Sequence, residues 1–338
     1  MIFTMDPLLR LIQTPAGAFS ETRAYFFVTT LGTIFIFGYN ALSAVMRGMG
    51  DSKNPLYFVA IACVINIVLD LLLVAKYGMG AGGAAIATVI SQAMSMILCI
   101  IYLKKNGFIF DFKPSSFKFY KDRFNLLLKI GIPTSAQNAI VSVSFLFLTA
   151  LANTFGVSAS AAVGAVSKLN SFAILPTVAV SASVSAMSAQ NIGARQIRRA
   201  VQTLKTGIVF SLGISFVIFL VMRIFPEECL SMFGEDEEMI KHGVEYLNAI
   251  SFDYILVPFV FCLNGLFIGA GHTKFSFINS ASASLFIRIP ACYFLGIFLN
   301  KGLYGLGLGA PLASMFGVLM GVIFFFSKKW MRAVIVKE

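Results

Sequence analysis

Charged residues and histidine are scarce in this sequence, and each shortage excludes a class of protein. Only 12% of the 338 residues are charged, whereas a soluble domain has about 25%. The two histidines, His242 and His272, lie far apart, so neither a histidine metal site nor a catalytic triad is indicated. Four of the five cysteines lie in apolar runs, which favours small buried side chains over disulfides or metal ligands: Cys63, Cys99, Cys262 and Cys292.

Long apolar runs fill the space that charge leaves. The sequence is 58% hydrophobic, and runs of roughly 20 residues, enough to cross a bilayer as a helix, recur along its length. The predicted fold class is therefore an all-α polytopic membrane protein embedded in the lipid bilayer. Nine spans are predicted, at 25–46, 55–76, 82–103, 125–150, 158–189, 203–224, 242–268, 276–299 and 303–327.

The positive charges indicate an orientation rather than a nucleic-acid surface. With the C-terminus placed in the cytoplasm, 18 of the 26 Lys and Arg residues fall in cytoplasmic segments and 6 in outer ones. Lys and Arg concentrate on the cytoplasmic side of membrane proteins. We therefore expect a multi-pass protein of the plasma membrane with a cytoplasmic C-terminus and no nucleic-acid partner.

An internal repeat divides the chain. RGMGDSK (47–53) aligns with IGAGHTK (268–274), and YGMGAGGAAIAT (77–88) aligns with YGLGLGAPLAS (304–314) after a small insertion. Duplicated helical bundles are common in transporters. We predict two pseudo-symmetric bundles: a partial N-lobe of three spans at 1–104, a cytoplasmic linker at 105–124 and a C-lobe of six spans at 125–338.

The two copies are predicted to differ in length. Three spans, over about 125–224, precede the matched region in the second copy and have no counterpart before residue 1. We therefore expect the sequence to lack three spans of a parent with six plus six. A protein that naturally has nine spans is the alternative.

The motifs in this order resemble a known family. GMGDSK after one span, GIPTSAQN at the start of the span at 125–150 and SAQNIGARQ (188–196) after the next resemble the multidrug and toxic compound extrusion (MATE) transporters. The resemblance implies a two-lobed antiporter that exports organic cations by alternating access, driven by Na⁺ or H⁺, with no other cofactor and no enzymatic activity. It leaves the identity of the substrate and the oligomeric state open.

Asp70 is the candidate ion-binding residue. A carboxylate near the middle of an apolar span costs roughly 2.5–3.5 kcal/mol, so it requires a partner. Asn66 lies one helical turn before Asp70, and Thr88 lies as far after the turn near Met79 as Asp70 lies before it. Their oxygens suit Na⁺ or a protonated cluster. The resemblance likewise implies that Asn66, Asp70 and Thr88 form the N-lobe cation site, together with an Asp from a preceding helix.

Two more charges lie within predicted spans. Asp253 and Arg288 are almost equally distant from the turn at Gly271, so antiparallel packing predicts a structural ion pair. Some members of the family use C-lobe carboxylates as well, at positions that correspond here to the apolar Val141 and Val257. This difference favours the N-lobe site. Other polar residues within spans are candidates for the lining of a substrate cavity: Tyr39, Asn40, Gln137, Asn138, Tyr254 and Asn264.

Two alternatives to a cation-coupled exporter stay open. A lipid-linked saccharide flippase would need several Arg or Lys residues within the spans to bind a pyrophosphate, and only Lys168 and Arg288 qualify. A non-transporting membrane fragment would account for the nine spans. A nucleotide-driven pump is not indicated, because GMGAGG lacks the Lys-Ser/Thr ending of a phosphate-binding loop.

Overall fold

A computed structural model describes residues 5–11, 16–106 and 118–331. The chain divides into two compact units, Met1–Phe119 and Tyr120–Glu338. Most of the predicted linker at 105–124 lies outside the described residues, and the division falls within it. The domain boundaries predicted from the sequence stay predictions.

The described part of unit 1 contains four α-helices: α1 (Met5–Leu11), α2 (Ala16–Gly48), α3 (Lys53–Asp70) and α4 (Gly80–Lys105). A π-helical segment, Leu71–Lys76, continues α3 without a break. α4 packs along both α2 and α3, whereas α2 and α3 touch each other little. Gly38 of α2 lies against the flexible side chain of Met96 in α4, which would have to shift to admit a larger residue.

Within its described residues, 120–331, unit 2 contains nine α-helices: α5 (Lys121–Asn153), α6 (Val157–Gly193), α7 (Ile197–Ile224), α8 (Pro226–Ser231), α9 (Glu237–Ile250), α10 (Asp253–Gly269), α11 (Thr273–Ser282), α12 (Ile289–Tyr293) and α13 (Gly302–Phe326). Two π-helical segments, Ala283–Arg288 and Phe294–Phe298, join and extend α11 and α12 into one continuous span. α9 and α10 form a broken span with a bend of 48°.

The number of spans agrees with the sequence analysis. Within the described ranges, eight helices are long and apolar enough to cross a membrane, and the bent pair α9–α10 makes nine. Each predicted span falls on one of these helices to within a residue. The described residues contain no β-strand, which confirms the all-α fold class. One detail of the sequence analysis is wrong: Cys63 is exposed on the surface of its helix rather than buried.

Small residues bring α6 and α10 into close contact in unit 2. A Cβ atom built on Gly265 would lie 2.6 Å from the backbone oxygen of Ser181. The Ser181 hydroxyl in turn donates a hydrogen bond of 2.7 Å to the carbonyl of Phe261. Since real Cβ atoms do not approach an oxygen this closely, only glycine at 265 permits this helix crossing.

The backbone corrects the sequence alignment of the repeat. Gly50 and Gly271 both have positive φ angles, 97° and 85°, which supports the offset of 221 residues between the inner turns. At the other turn, Gly78 (φ 65°) corresponds to Asn300 (φ 50°), and Gly80 (φ 56°) corresponds to Gly302 (φ 54°). The matched turns are therefore offset by 222 residues. The alignment of YGMG with YGLG is wrong, because Tyr77 precedes α4 whereas Tyr304 lies inside α13.

In each unit, a glutamate from an earlier helix also caps the N-terminus of the last α-helix described, α4 in unit 1 and α13 in unit 2. The carboxylate of Glu21 in α2 accepts a hydrogen bond of 2.7 Å from the backbone N–H of Ala81. The carboxylate of Glu245 in α9 accepts one of 3.1 Å from the N–H of Tyr304. An acidic group at a helix N-terminus satisfies a free N–H and interacts favourably with the helix dipole. The two units thus share a capping contact as well as their turns.

Candidate functional site

In unit 1, Asn66 and Asp70 form the end of α3. They lie one turn apart, and the π-helical segment Leu71–Lys76 begins directly after Asp70. Its wider turn is visible in the 3.0 Å hydrogen bond from the N–H of Tyr77 to the carbonyl of Leu72, five residues earlier. Short π-helical segments inside α-helices occur frequently at functional sites. The structure therefore sets Asp70 at an irregular position of its span.

Both side chains contain buried atoms without a partner. The Oδ1 atom of Asp70 and the Nδ2 atom of Asn66 are buried and make no hydrogen bond, although each residue as a whole is half-buried. An unsatisfied buried polar group costs about 1–3 kcal/mol, and more when it is charged. A bound cation, a proton or a water molecule would satisfy the carboxylate oxygen.

Thr88 lies on α4, which packs against α3. Its hydroxyl donates a hydrogen bond of 3.0 Å to the carbonyl of Ala84 in its own helix. The hydrogen is therefore committed, and the oxygen keeps its lone pairs for a further donor or a cation. No described hydrogen bond joins any two of Asn66, Asp70 and Thr88.

The sequence analysis missed a fourth polar residue. Gln92 follows Thr88 by one helical turn on α4, and its Oε1 atom is buried without a partner. Residues 66 and 92 are almost equally distant from the turn at Met79. The pair Thr88 and Gln92 on α4 thus matches the pair Asp70 and Asn66 on α3, and the same four-residue spacing would have revealed it.

Two residues of unit 1 that were predicted to line a substrate cavity donate hydrogen bonds to backbone carbonyls. Tyr39 is buried, and its hydroxyl donates a hydrogen bond of 2.7 Å to the carbonyl of Pro55 on α3. Asn40 is exposed, and its amide donates a hydrogen bond of 2.8 Å to the carbonyl of Ile36. Tyr39 therefore joins α2 to α3, and a substrate role for either residue stays a prediction.

Unit 2 encloses a cavity of about 420 Å³ between α5, α6, α10, α13 and the span that contains α11 and α12. Gln137, Asn138 and Asn264, predicted from the sequence, line it. Tyr254 is buried but is not part of the lining. Val141 and Val257, which the resemblance in the sequence matched to C-lobe carboxylate positions, also line the cavity as apolar residues.

Asp253 and Arg288 line this cavity as well, but the predicted direct ion pair between them is not formed. No nitrogen–oxygen contact within salt-bridge distance joins these two described residues. Asp253 begins α10 directly after the break in its span, and Ser314 of α13 also lines the cavity. The guanidinium carbon of Arg288 lies 4.8 Å from the centre of the Phe145 ring. The break and the π-helical segment before Arg288 explain the difference. Two residues at equal depth point toward each other predictably only when both helices are continuous α-helices.

The described residues contain no cluster of three His, Cys, Asp or Glu side chains that could hold a metal ion. An ion in unit 1 would therefore depend on a single carboxylate with amide and hydroxyl oxygens. This donor set suits a monovalent, hard cation or a proton.

Within the described residues, eight continuous helical spans, one broken span and polar groups buried at span irregularities define a class of protein. These features are typical of polytopic secondary transporters, whose sites are formed by discontinuous helices inside repeated bundles. The chain matches the MatE family model over residues 1–72 and 133–294. It therefore belongs to the MatE family, which confirms the resemblance seen in the sequence.

Curated relatives agree with this assignment. The chain is 29% identical to the probable multidrug resistance protein YpnP of Bacillus subtilis, over 97% of this chain and 73% of that protein. It is 24% identical to the probable multidrug resistance protein NorM of Thermotoga maritima, over 98% of this chain and 73% of that protein. The chain is thus a multi-pass member of a family of multidrug transporters, which is not an enzyme class.

Solved structures share the fold. An outward-facing multidrug resistance MATE family transporter of the MOP superfamily superimposes with a TM-score of 0.89 at 21% identity, over 97% of this chain and 75% of that one. A MOP superfamily transporter from Pyrococcus furiosus superimposes with a TM-score of 0.90 at 21% identity, over 97% and 75%. The similarity extends over nearly the whole of this chain.

Proposed function

We propose that the chain exports organic cations by alternating access, in exchange for Na⁺ or H⁺, with Asp70, Asn66 and Thr88 as the coupling-ion site. The observation that carries the proposal is the buried, unpartnered Oδ1 atom of Asp70 beside the unpartnered amide of Asn66. A carboxylate in an apolar span is costly unless its charge is used. Membership in the MatE family supports the transport activity, and this residue pattern supports the location of the ion.

The proposal assigns a role to each of the three side chains. Asp70 carries the charge that binds Na⁺ or takes up a proton. Thr88, whose hydrogen is committed to Ala84, offers an oxygen to the ion. Asn66 offers its amide oxygen to Na⁺, or its free N–H to the carboxylate once the ion has left. Gln92 extends the same set on α4, because its Oε1 atom is unpartnered.

The test is transport of ethidium in vesicles that contain the purified full chain. An outward Na⁺ gradient and an outward H⁺ gradient are imposed in separate experiments. We expect the gradient of the coupling ion to drive ethidium into the vesicles in exchange. Asp70→Asn should reduce the driven rate at least about tenfold, the effect of losing roughly 1.4 kcal/mol of coupling. The matched control is Asp6→Asn, which alters an exposed carboxylate paired with Arg23 and should leave transport unchanged.

The outcomes separate the alternatives. Unchanged export by Asp70→Asn would refute this site while leaving transport intact. If neither gradient moves ethidium through the unaltered chain, the proposed ion-driven export of this cation is refuted, and the result favours the non-transporting alternative. Stimulation by an Na⁺ step at constant pH would identify Na⁺, and stimulation by a pH step without Na⁺ would identify H⁺.

A further inference from the structure

The cavity of unit 2 is lined by one acidic and one basic side chain, Asp253 and Arg288, which form no direct ion pair. Asp253 is 5% exposed, and its Oδ1 atom has no hydrogen-bond partner. The Nε and Nη1 atoms of Arg288 are also buried without a partner. Buried charges cost several kcal/mol each unless they are paired and hydrogen-bonded. The cavity therefore contains a carboxyl oxygen and two guanidinium nitrogens that lack hydrogen-bond partners.

Amide oxygens in the same cavity add further acceptors. The Oε1 atom of Gln137 and the Oδ1 atoms of Asn170, Asn264 and Asn279 are buried without partners, and all four residues line the cavity. Two of these amides are held by their nitrogens: Gln137 donates to Ser280 at 2.9 Å, and Asn279 donates to the carbonyl of Gly317 at 3.0 Å. Among the buried polar atoms of the lining that lack a partner, acceptors thus outnumber donors.

We propose that this cavity binds a small zwitterion, a molecule with a primary ammonium group and a carboxylate group. The ammonium group has three donors and no acceptor, which matches Asp253 and the amide oxygens. The carboxylate group matches the guanidinium of Arg288, since such charge-assisted hydrogen bonds are about twice as strong as neutral ones. The apolar lining residues, among them Val141, Phe145 and Val257, accommodate the side chain of the ligand.

Simpler ligands fit the cavity less well. A cation alone would leave the Arg288 nitrogens unpartnered and would meet a like charge. An anion alone would do the same to Asp253. The volume of about 420 Å³ falls in the range of small-molecule sites, roughly 300–1,000 Å³, and suits a molecule of amino-acid size.

The first experiment measures binding to the unaltered full chain in detergent by calorimetry. The probes are leucine, isoamylamine, which is leucine without its carboxylate, and 4-methylpentanoate, which is leucine without its amine. Phenylalanine, 2-phenylethylamine and 3-phenylpropanoate form a second series with a larger side chain. We expect at least one amino acid to bind about tenfold more tightly than both of its analogues, or about 1.4 kcal/mol.

Two variants assign the contacts. Arg288→Gln should abolish the preference for the amino acid over the amine, and Asp253→Asn should abolish the preference over the acid. Arg23→Gln, an exposed arginine paired with Asp6, is the matched control and should retain both preferences. The analogue series on the unaltered chain decides the question if either variant fails to fold.

The proposal is overturned if neither amino acid binds with a Kd below roughly 10 mM, which corresponds to a binding free energy of about −2.7 kcal/mol. It is also overturned if the analogues bind as tightly as the parent compounds, since ordered water then satisfies the charged groups. This site is separate from the one proposed in unit 1. Ethidium transport without binding of either amino acid would refute only the inference about unit 2, whereas the reverse result would refute only the transport proposal.

Discussion

Replacement of Gly265 by alanine tests the closest helix crossing in unit 2. The added Cβ atom would lie 2.6 Å from the Ser181 carbonyl oxygen, whereas ordinary contacts begin at 3.4 Å. α6 and α10 would therefore have to separate by about 0.8 Å. The hydrogen bond from Ser181 to Phe261 resists this separation, because it joins the same two helices.

Overpacking of this kind costs typically 1–3 kcal/mol. Alanine in place of glycine in a helix returns about 1 kcal/mol, so we expect a net loss of up to about 2 kcal/mol. For a unit of this size, that loss corresponds to a decrease in Tm of up to roughly 8 °C. The Ala substitution would also move the cavity-lining residue Asn264, which precedes it.

The control is Gly213→Ala in α7, where an added Cβ atom meets nothing within 4 Å. This variant gains the helix propensity of alanine without a clash, so its Tm should equal or exceed that of the parent. Both variants are compared by thermal unfolding in the same detergent at a fixed heating rate. A Tm for Gly265→Ala as high as that of Gly213→Ala would show that α6 and α10 are not in such close contact.

Two further predictions concern residues near the ends of spans. Burial, with a smaller contribution from the Glu228 charge, raises the pKa of the Cys229 thiol, so its thiolate fraction at pH 8 is below that of an ordinary cysteine. Maleimide labelling of Cys229 by a membrane-impermeant reagent added outside cells should therefore rise about tenfold per pH unit between pH 7 and 8.5, and labelling only after lysis would contradict the predicted orientation. Trp330 is fully buried, stacks on Phe325 at 5.4 Å and donates to the Phe325 carbonyl at 2.9 Å. Trp330→Ala should cost about 3–5 kcal/mol and Trp330→Phe only about 1 kcal/mol in denaturant unfolding, and equal losses would show that the ring packing contributes little.

The spans could be predicted from the sequence because membrane insertion depends on length and hydropathy, which are additive along the chain. The relation between Asp253 and Arg288 could not. Their nearly equal distances from Gly271 predicted similar depths in the membrane. Whether the two side chains point toward each other depends on their direction around each helix axis. The break at 251–252 and the π-helical segment Ala283–Arg288 change that direction, and no residue pattern in the sequence marked either of them.

The unit 1 site was predictable to a greater extent. Asn66 and Asp70 share a face of one continuous helix, so their spacing alone brought them together. Gln92 has the same spacing to Thr88 but was missed. An uncharged glutamine costs less in an apolar span than a carboxylate does, so it is a weaker indication of a functional site. The structure adds which atoms lack partners, and this depends on neighbouring helices rather than on local sequence.

The matched turns of the two units show what a duplicated structure retains. Gly78 and Asn300 occupy equivalent places and share a left-handed backbone, yet they are different amino acids. Glycine and asparagine are the residues that enter this conformation at least cost. At this position the two units share a backbone torsion angle rather than a residue type. A comparison of residues that tolerate positive φ therefore aligns these turns, whereas a comparison of identical residues misaligned them.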